Sequence, residues 1–255
     1  MASLPRETKE EPEHRTLLYR AYRLFVTPLV SFTKMLCDVL QYLWRSGFGL
    51  LVFMKATGSI VWGFGDTLNV AYSFVPDDEA ATSRRLGYVY SCMGIGCFLG
   101  PIIANFFTDP ERPKTLQFVC IVAIAFMTIG WLGVANAPSF GVICVFTAVK
   151  TVGSSTIWIN SSLTLQRLAQ PQRMGRVMAF EFACAMLFDA MSATVAGRLI
   201  DGGYAPAQIA TGASTLAATL LLLWSTYHLF GRGAARNEFN QPKKVTSETA
   251  QVVFA

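Results

Sequence analysis

The sequence predicts an all-α membrane protein, with six transmembrane helices preceded by a cytoplasmic amphipathic helix. Three observations carry that prediction. Hydrophobic residues fill 53% of the 255 positions against 15% charged. Charge thins out through the middle of the chain, where several runs of roughly 20 residues hold one charged group or none, the length that crosses a bilayer core. The joins between these runs combine proline, glycine and charge in ways that end helices.

The opening MASLPRETKEEPEH is polar and lacks the apolar core of a signal peptide. Residues 1–32 therefore read as a polar cytoplasmic segment, in which Leu17, Ala21, Leu24 and Phe25 form a weak repeat that Pro28 separates from the next helical pattern. Over residues 33–46 that pattern is stronger. Phe32, Leu36, Val39, Leu40 and Leu43 recur at helical spacing, opposite Lys34, Asp38, Gln41 and Arg45. Such a helix lies on the inner leaflet or caps a soluble face.

Residues 47–230 form the expected bundle, with spans at Phe48 to Phe74, Leu86 to Phe107, Leu116 to Ala135, Phe140 to Leu165, Val177 to Ile200 and Ile209 to Phe230. The segments VPDDEAATSRR, TDPERPKT, NAPS, QRLAQPQRMGR and DGGYAPAQ join them, and residues 231–255 form a basic tail. Positively charged short loops stay in the cytoplasm. Arg112, Lys114, Arg167, Arg173 and Arg176 fall on one side with the tail's Arg232, Arg236, Lys243 and Lys244, whereas Arg84 and Arg85 sit opposite with three acids beside them. Both termini are thus expected inside. The net charge of +5 then marks a cytoplasmic face in a lipid bilayer and not a nucleic-acid surface.

Several functional classes drop out. Cys92, Cys97, Cys120, Cys144 and Cys184 lie in apolar segments with no CxxC pair, and His14 and His228 are the two histidines, so a metal centre lacks ligands. No GxSxG elbow or Walker-type loop is present, and the joins lack the P-x-[DE]-x-x-[KR] element of six-span mitochondrial carriers. The chain is expected not to be an enzyme and to need no cofactor.

Polar groups inside the spans carry the functional signal, because a charge at the centre of a membrane helix costs at least about 2.5 kcal/mol. In the first span Lys55, Ser59, Trp62, Asp66, Asn69 and Ser73 succeed one another at spacings of three and four and so share one helix face. The fourth span repeats the device with Thr147, Lys150 or Thr151, Ser154, Trp158, and Ser161 or Ser162. The two stripes are expected to face each other across a solute pathway. In the fifth span Glu181 and Asp189 are eight residues and roughly 80° apart around the axis, and either is a candidate protonatable site. Lys55 has a second reading, as a charge paired with a carboxylate or snorkelling to headgroups. Trp62 and Trp158 also read as packing residues.

In GYVYSCMGIGCFLGP, Gly87, Gly94, Gly96 and Gly100 precede Pro101 without the spacing or the strand of a phosphate loop. Gly96 and Gly100 are placed instead for close helix approach, and Pro101 for a kink or hinge.

Taken together, these segments resemble the C-terminal six-helix half of a major facilitator superfamily transporter, most similar to the drug and siderophore exporter branch. The likeness covers about residues 33 to 230 and rests on KMLCDVLQYLWRSGFG, QRLAQPQRMGRVMAF and AGRLIDGG. Gly87, Gly96, Gly100 and Pro101 resemble the antiporter signature G-x8-G-x3-G-P-x2-G-G, with Ala104 and Asn105 in place of its last glycines. The degraded loop motif NFFTDPERPK keeps Asp109 and Lys114. The resemblance implies alternating access and ion-coupled efflux of a small organic solute. It also implies cytoplasmic gate loops at Asp109, Arg173, Gly175 and Arg176, and a second six-helix half supplied by upstream sequence, by a second copy or by another subunit. A membrane interaction protein without transport is the alternative expectation.

Overall fold

The structure, a computed structural model, describes residues 26–46, 48–109 and 111–230. The repeat Leu17, Ala21, Leu24 and Phe25, the side chain of Phe32, His14 and the basic tail lie outside the described residues. Within them are seven α-helices: α1 (Thr27–Arg45), α2 (Phe53–Ser73), α3 (Glu79–Asn105), α4 (Pro113–Ala135), α5 (Phe140–Leu168), α6 (Pro171–Asp201) and α7 (Pro206–Phe230). A single 3-10 turn, Gly49–Val52, leads into α2.

Local chemistry sets most of these boundaries. Pro113, Pro171 and Pro206 each open a helix, where a missing amide hydrogen leaves no bond unmade. At the start of α3 the Asp78 carboxylate accepts from the Ala81 amide at 2.8 Å, capping a free N–H of the first turn. Gly203, with φ of 84°, reverses the chain after α6 in a conformation that side chains resist. The joins are tighter than expected. Only Ala169 and Gln170 separate α5 from α6, so Arg173, Gly175 and Arg176 lie in the first turns of a helix and not in a loop. Arg84 and Arg85 likewise belong to α3.

The expected six-span bundle is corrected by the structure. Five helices, α3 to α7, are long and apolar enough to cross a membrane. The run Phe48 to Phe74 is not a sixth: it divides into the 3-10 turn and α2, and α2 does not meet that standard. Length is not the obstacle, because α2 has 21 residues. The polar stripe itself dilutes the helix's apolarity. Lys55, Ser59, Asn69 and Ser73 are tolerated because all four are buried inside the bundle, where protein replaces lipid as their solvent. The chain is therefore an all-α, multi-pass membrane-spanning bundle of five apolar helices, with α2 packed among them. The six-helix half of a major facilitator fold is not what these helices make.

The bundle has two tightly packed parts. In one, α4 packs along α5 and α7, and α3 packs along α5; in the other, α2 packs along α6. Contacts from α2 to α5, α7 and α3 are much sparser, so a seam runs between the α2–α6 pair and the other four helices. Close approach within each part depends on glycine. Side-chain atoms built on Gly96 and Gly100 of α3 would run into the α5 backbone at Ala148 and Val152, and one on Gly63 of α2 would strike Asp189 and Ser192 of α6. Gly87 and Gly175 meet nothing.

Helix α1 buries Val39 and Leu43 and leaves Lys34, Asp38, Gln41 and Arg45 exposed, as are Leu40 and Trp44. It sits against the α5–α6 join. The Gln170 amide donates to the Tyr42 hydroxyl at 3.2 Å, Arg173 stacks over the Tyr42 ring, and Arg176 reaches Asp38 at 3.8 Å. The last contact is exposed at both ends and contributes little to stability.

Candidate solute cavity and charge pair

Across the seam, α2, α3 and α5 line an open-sided cavity of about 280 Å³. Lys55, Ser59 and Trp62 line it from α2, Cys97 and Pro101 from α3, and Ser154, Ser155 and Trp158 from α5. The two polar stripes thus meet here over half of their length. Ser59 is 5% exposed, and among the described residues neither its hydroxyl nor that of Ser154 has a hydrogen-bond partner in the protein. Proline at 101 cannot donate to the carbonyl of residue 97 one turn earlier.

Lys55 closes one end of the cavity. Its ammonium pairs with Glu181 Oε2 at 3.1 Å, donates to the Ser162 hydroxyl, and lies 4.7 Å from the centre of the Trp158 ring. Glu181, on α6, is 0% exposed and has both oxygens engaged: Ser161 donates to Oε1 at 3.2 Å and Ser162 to Oε2 at 3.2 Å. Three helices from both sides of the seam converge on this one carboxylate. A buried ion pair is stable only when its remaining hydrogen-bonding capacity is met, and here α5 supplies the hydroxyls. Trp158 is held in turn by an edge contact with Phe182 at 5.9 Å.

A second charged group lies along α2, 11 residues or roughly 16 Å from Lys55 at 1.5 Å per residue. Lys150 of α5 is 3% exposed, and its ammonium sits 4.1 Å from the centre of the Trp131 ring on α4. Gly65 makes room for it, since a side-chain carbon there would come 3.0 Å from the Lys150 nitrogen. Among the described residues Lys150 has no ion-pair partner. Asp66, which is exposed, interacts with it only at longer range, and Asp189 feels Asp66 in turn. Asp189 Oδ1 is buried without a hydrogen-bond partner. Asn69, the next stripe residue, donates to the Met93 sulfur at 3.1 Å. The sequence-predicted residues therefore fall into two clusters and not one continuous pathway. Replacing Lys150 with methionine is expected to leave stability unchanged or raise it, because a buried amine without a paired charge leaves its desolvation uncompensated; thermal unfolding in detergent checks it.

Gate-loop candidates remain apart from both clusters. Asp109 pairs with Arg112 at 3.0 Å in the exposed α3–α4 join, and Arg173 and Arg176 face α1. Trp131, Ser155, Gly65 and Gly130 carry no signal in the sequence that marks them for the interior. Trp131 sits in an apolar run where Thr128 is its one polar neighbour in helical register, and nothing there identifies it as the seat of a lysine. Ser155 adjoins Ser154, and its value emerges only from the way α5 turns toward Gly96, whose carbonyl it approaches at 3.5 Å.

Fold and site together define the class, an all-α multi-pass membrane protein with a charged, partly hollow interior. No protein-family model matches the chain, and no curated protein matches it.

Proposed function

We propose that the chain is a secondary transporter, or part of one, which moves a small organic solute by exposing the cavity alternately to the two sides of the bilayer. One observation carries the reading: a largely apolar cavity that holds a lysine and two unpartnered serine hydroxyls lies on the sparse seam of a membrane bundle, where a small displacement of α2–α6 against the other helices would widen it. Ionisable groups inside membrane bundles mark solute or ion pathways among their uses, and Lys55 on the cavity wall is such a group. The joins that resemble those of the major facilitator superfamily support the same activity, and with it ion-coupled efflux, although the helix inventory is not that of its six-helix half.

The α3–α4 and α5–α6 joins, with Arg112, Lys114, Arg167, Arg173 and Arg176, face the cytoplasm in this proposal. Helix α1 touches the α5–α6 join and lies on the same side, as does the end of α7, whose His228 meets Phe118 near the start of α4 at 6.2 Å. The exposed Asp66 and the 37% exposed Trp158 require cover in a membrane, and a second helical bundle supplies it. The chain performs no covalent chemistry on its solute.

Gradient-driven uptake of labelled solutes into proteoliposomes tests the proposal. Flux is expected to depend on pH, and Glu181→Gln to flatten that dependence; a variant with an unaltered profile removes Glu181 from the coupling. A broad solute panel with no gradient-dependent flux sinks the transporter reading. It would leave a membrane interaction protein, whose partner crosslinking and native mass measurement would reveal.

A further inference from the structure

The chemistry of the cavity walls names a solute class, an inference that rests on the cavity being the solute site. Lys55 is the one charged residue among those lining it, and no carboxylate reaches its surface because Glu181 lies behind Lys55 with both oxygens occupied. The ammonium and the indole N–H groups of Trp62 and Trp158 can only donate hydrogen bonds, and the Ser59 and Ser154 hydroxyls are free to do so. A cationic solute would meet a like charge at the cavity's end. A neutral one would leave the ammonium bound to Glu181 and gain only the hydroxyls.

We propose that the cavity binds a small organic anion of the carboxylate class, whose charged group competes with Glu181 for the Lys55 ammonium while its body lies against Trp62 and Trp158. One carboxylate leaves the ammonium as another arrives; Glu181 keeps its bonds from Ser161 and Ser162 but loses its counter-charge, and that loss opposes binding. Size agrees. A cavity of about 280 Å³ stands just below the roughly 300–1,000 Å³ of drug-sized pockets, so it suits a single-ring or short-chain acid. The aromatic walls favour a planar, apolar body, since indole rings offer large flat faces.

Equilibrium binding of benzoate, benzamide and benzylamine to the purified full chain in detergent tests this with three probes of one shape and different charge. Benzoate is expected to bind at least about tenfold more tightly than either of the others. Glu181→Gln removes the internal competitor while retaining a hydrogen-bond acceptor, and is expected to tighten benzoate about tenfold, a gain that a purely structural role for Glu181 would not produce. Ser59→Ala, which removes one hydroxyl from the wall, is expected to weaken benzoate about threefold and serves if the Glu181 variant does not fold. Equal or preferred binding of benzylamine or benzamide overturns the inference, as does absence of saturable binding by all three. So does unchanged benzoate affinity in a folded Glu181→Gln protein or, should that variant not fold, in Ser59→Ala. Selective benzoate binding without gradient-driven flux of benzoate would remove transport and leave the anion site standing; flux without anion preference would do the reverse.

Discussion

Lys55→Met is expected to destabilise the folded bundle by about 3–5 kcal/mol, the loss typical when one member of a buried ion pair is removed. The reason is the partner left behind. Glu181 is 0% exposed, sits where α2, α5 and α6 meet, and without Lys55 would keep a buried negative charge on two serine hydroxyls alone. Serine hydroxyls can share a carboxylate's hydrogen bonds but cannot neutralise it, and an uncompensated charge in a low-dielectric interior is far costlier than a missing hydrogen bond. The double variant Lys55→Met with Glu181→Met is accordingly expected to recover most of the loss, because removing both members of a buried pair is often neutral or stabilising. Unfolding of the wild type, both single variants and the double variant in one detergent closes a thermodynamic cycle. A coupling energy below about 1 kcal/mol, the value of an exposed surface pair, would show that Lys55 and Glu181 do not hold α2 against α6.

The range over which each feature is encoded decides how much of it is legible in the sequence. Pro113, Pro171 and Pro206 announce helix starts locally, and runs such as Leu116 to Ala135 announce membrane-crossing helices by composition alone. The stripes on α2 and α5 can be seen because 3.6-residue periodicity lies within a single helix. The failure of α2 as a sixth crossing helix is present in the same residues, but the apolar ones between Lys55 and Ser73 mask it. Only the burial of the polar face inside the bundle shows how the helix is accommodated. The Lys55–Glu181 pair is beyond local reading, since its members are 126 residues apart and their meeting depends on how α6 docks on α2. The same holds for Lys150 over Trp131. A charge in a span signals that a partner exists, but the partner here is an aromatic ring on another helix, and ring faces leave no periodic trace.

Gly130 illustrates that gap and carries the other large effect. A side-chain carbon built on it would come 2.5 Å from the backbone nitrogen of Lys150 and 2.7 Å from its Cα, and one on Gly153 would come 2.9 Å from the Met127 amide nitrogen. These obstacles are main chain, which cannot rotate aside as a side chain does, so α4 and α5 would have to separate along the most extensive helix contact in the bundle. Gly130→Val and Gly153→Val are each expected to cost about 3 kcal/mol, the upper end of the ordinary range for overpacking. Gly197→Ala, on a helix position that meets nothing, is expected to be neutral or to gain about 0.5–1 kcal/mol from the lower flexibility of the unfolded chain. Denaturation in detergent separates the two outcomes, and equal effects at all three positions would mean that α4 and α5 are not held by backbone proximity. The Gly130 variant bears on the interior as well. Its missing side chain brings the Lys150 backbone against α4, from which the ammonium reaches the ring of the adjacent Trp131 at 4.1 Å. Valine there would push Lys150 away from that ring, and only the exposed Asp66 would remain near its charge. In the transporter proposal a joint so fixed is not where movement occurs, and displacement falls on the sparse α2–α5 boundary, where the cavity lies and where Ser161 and Ser162 reach Glu181.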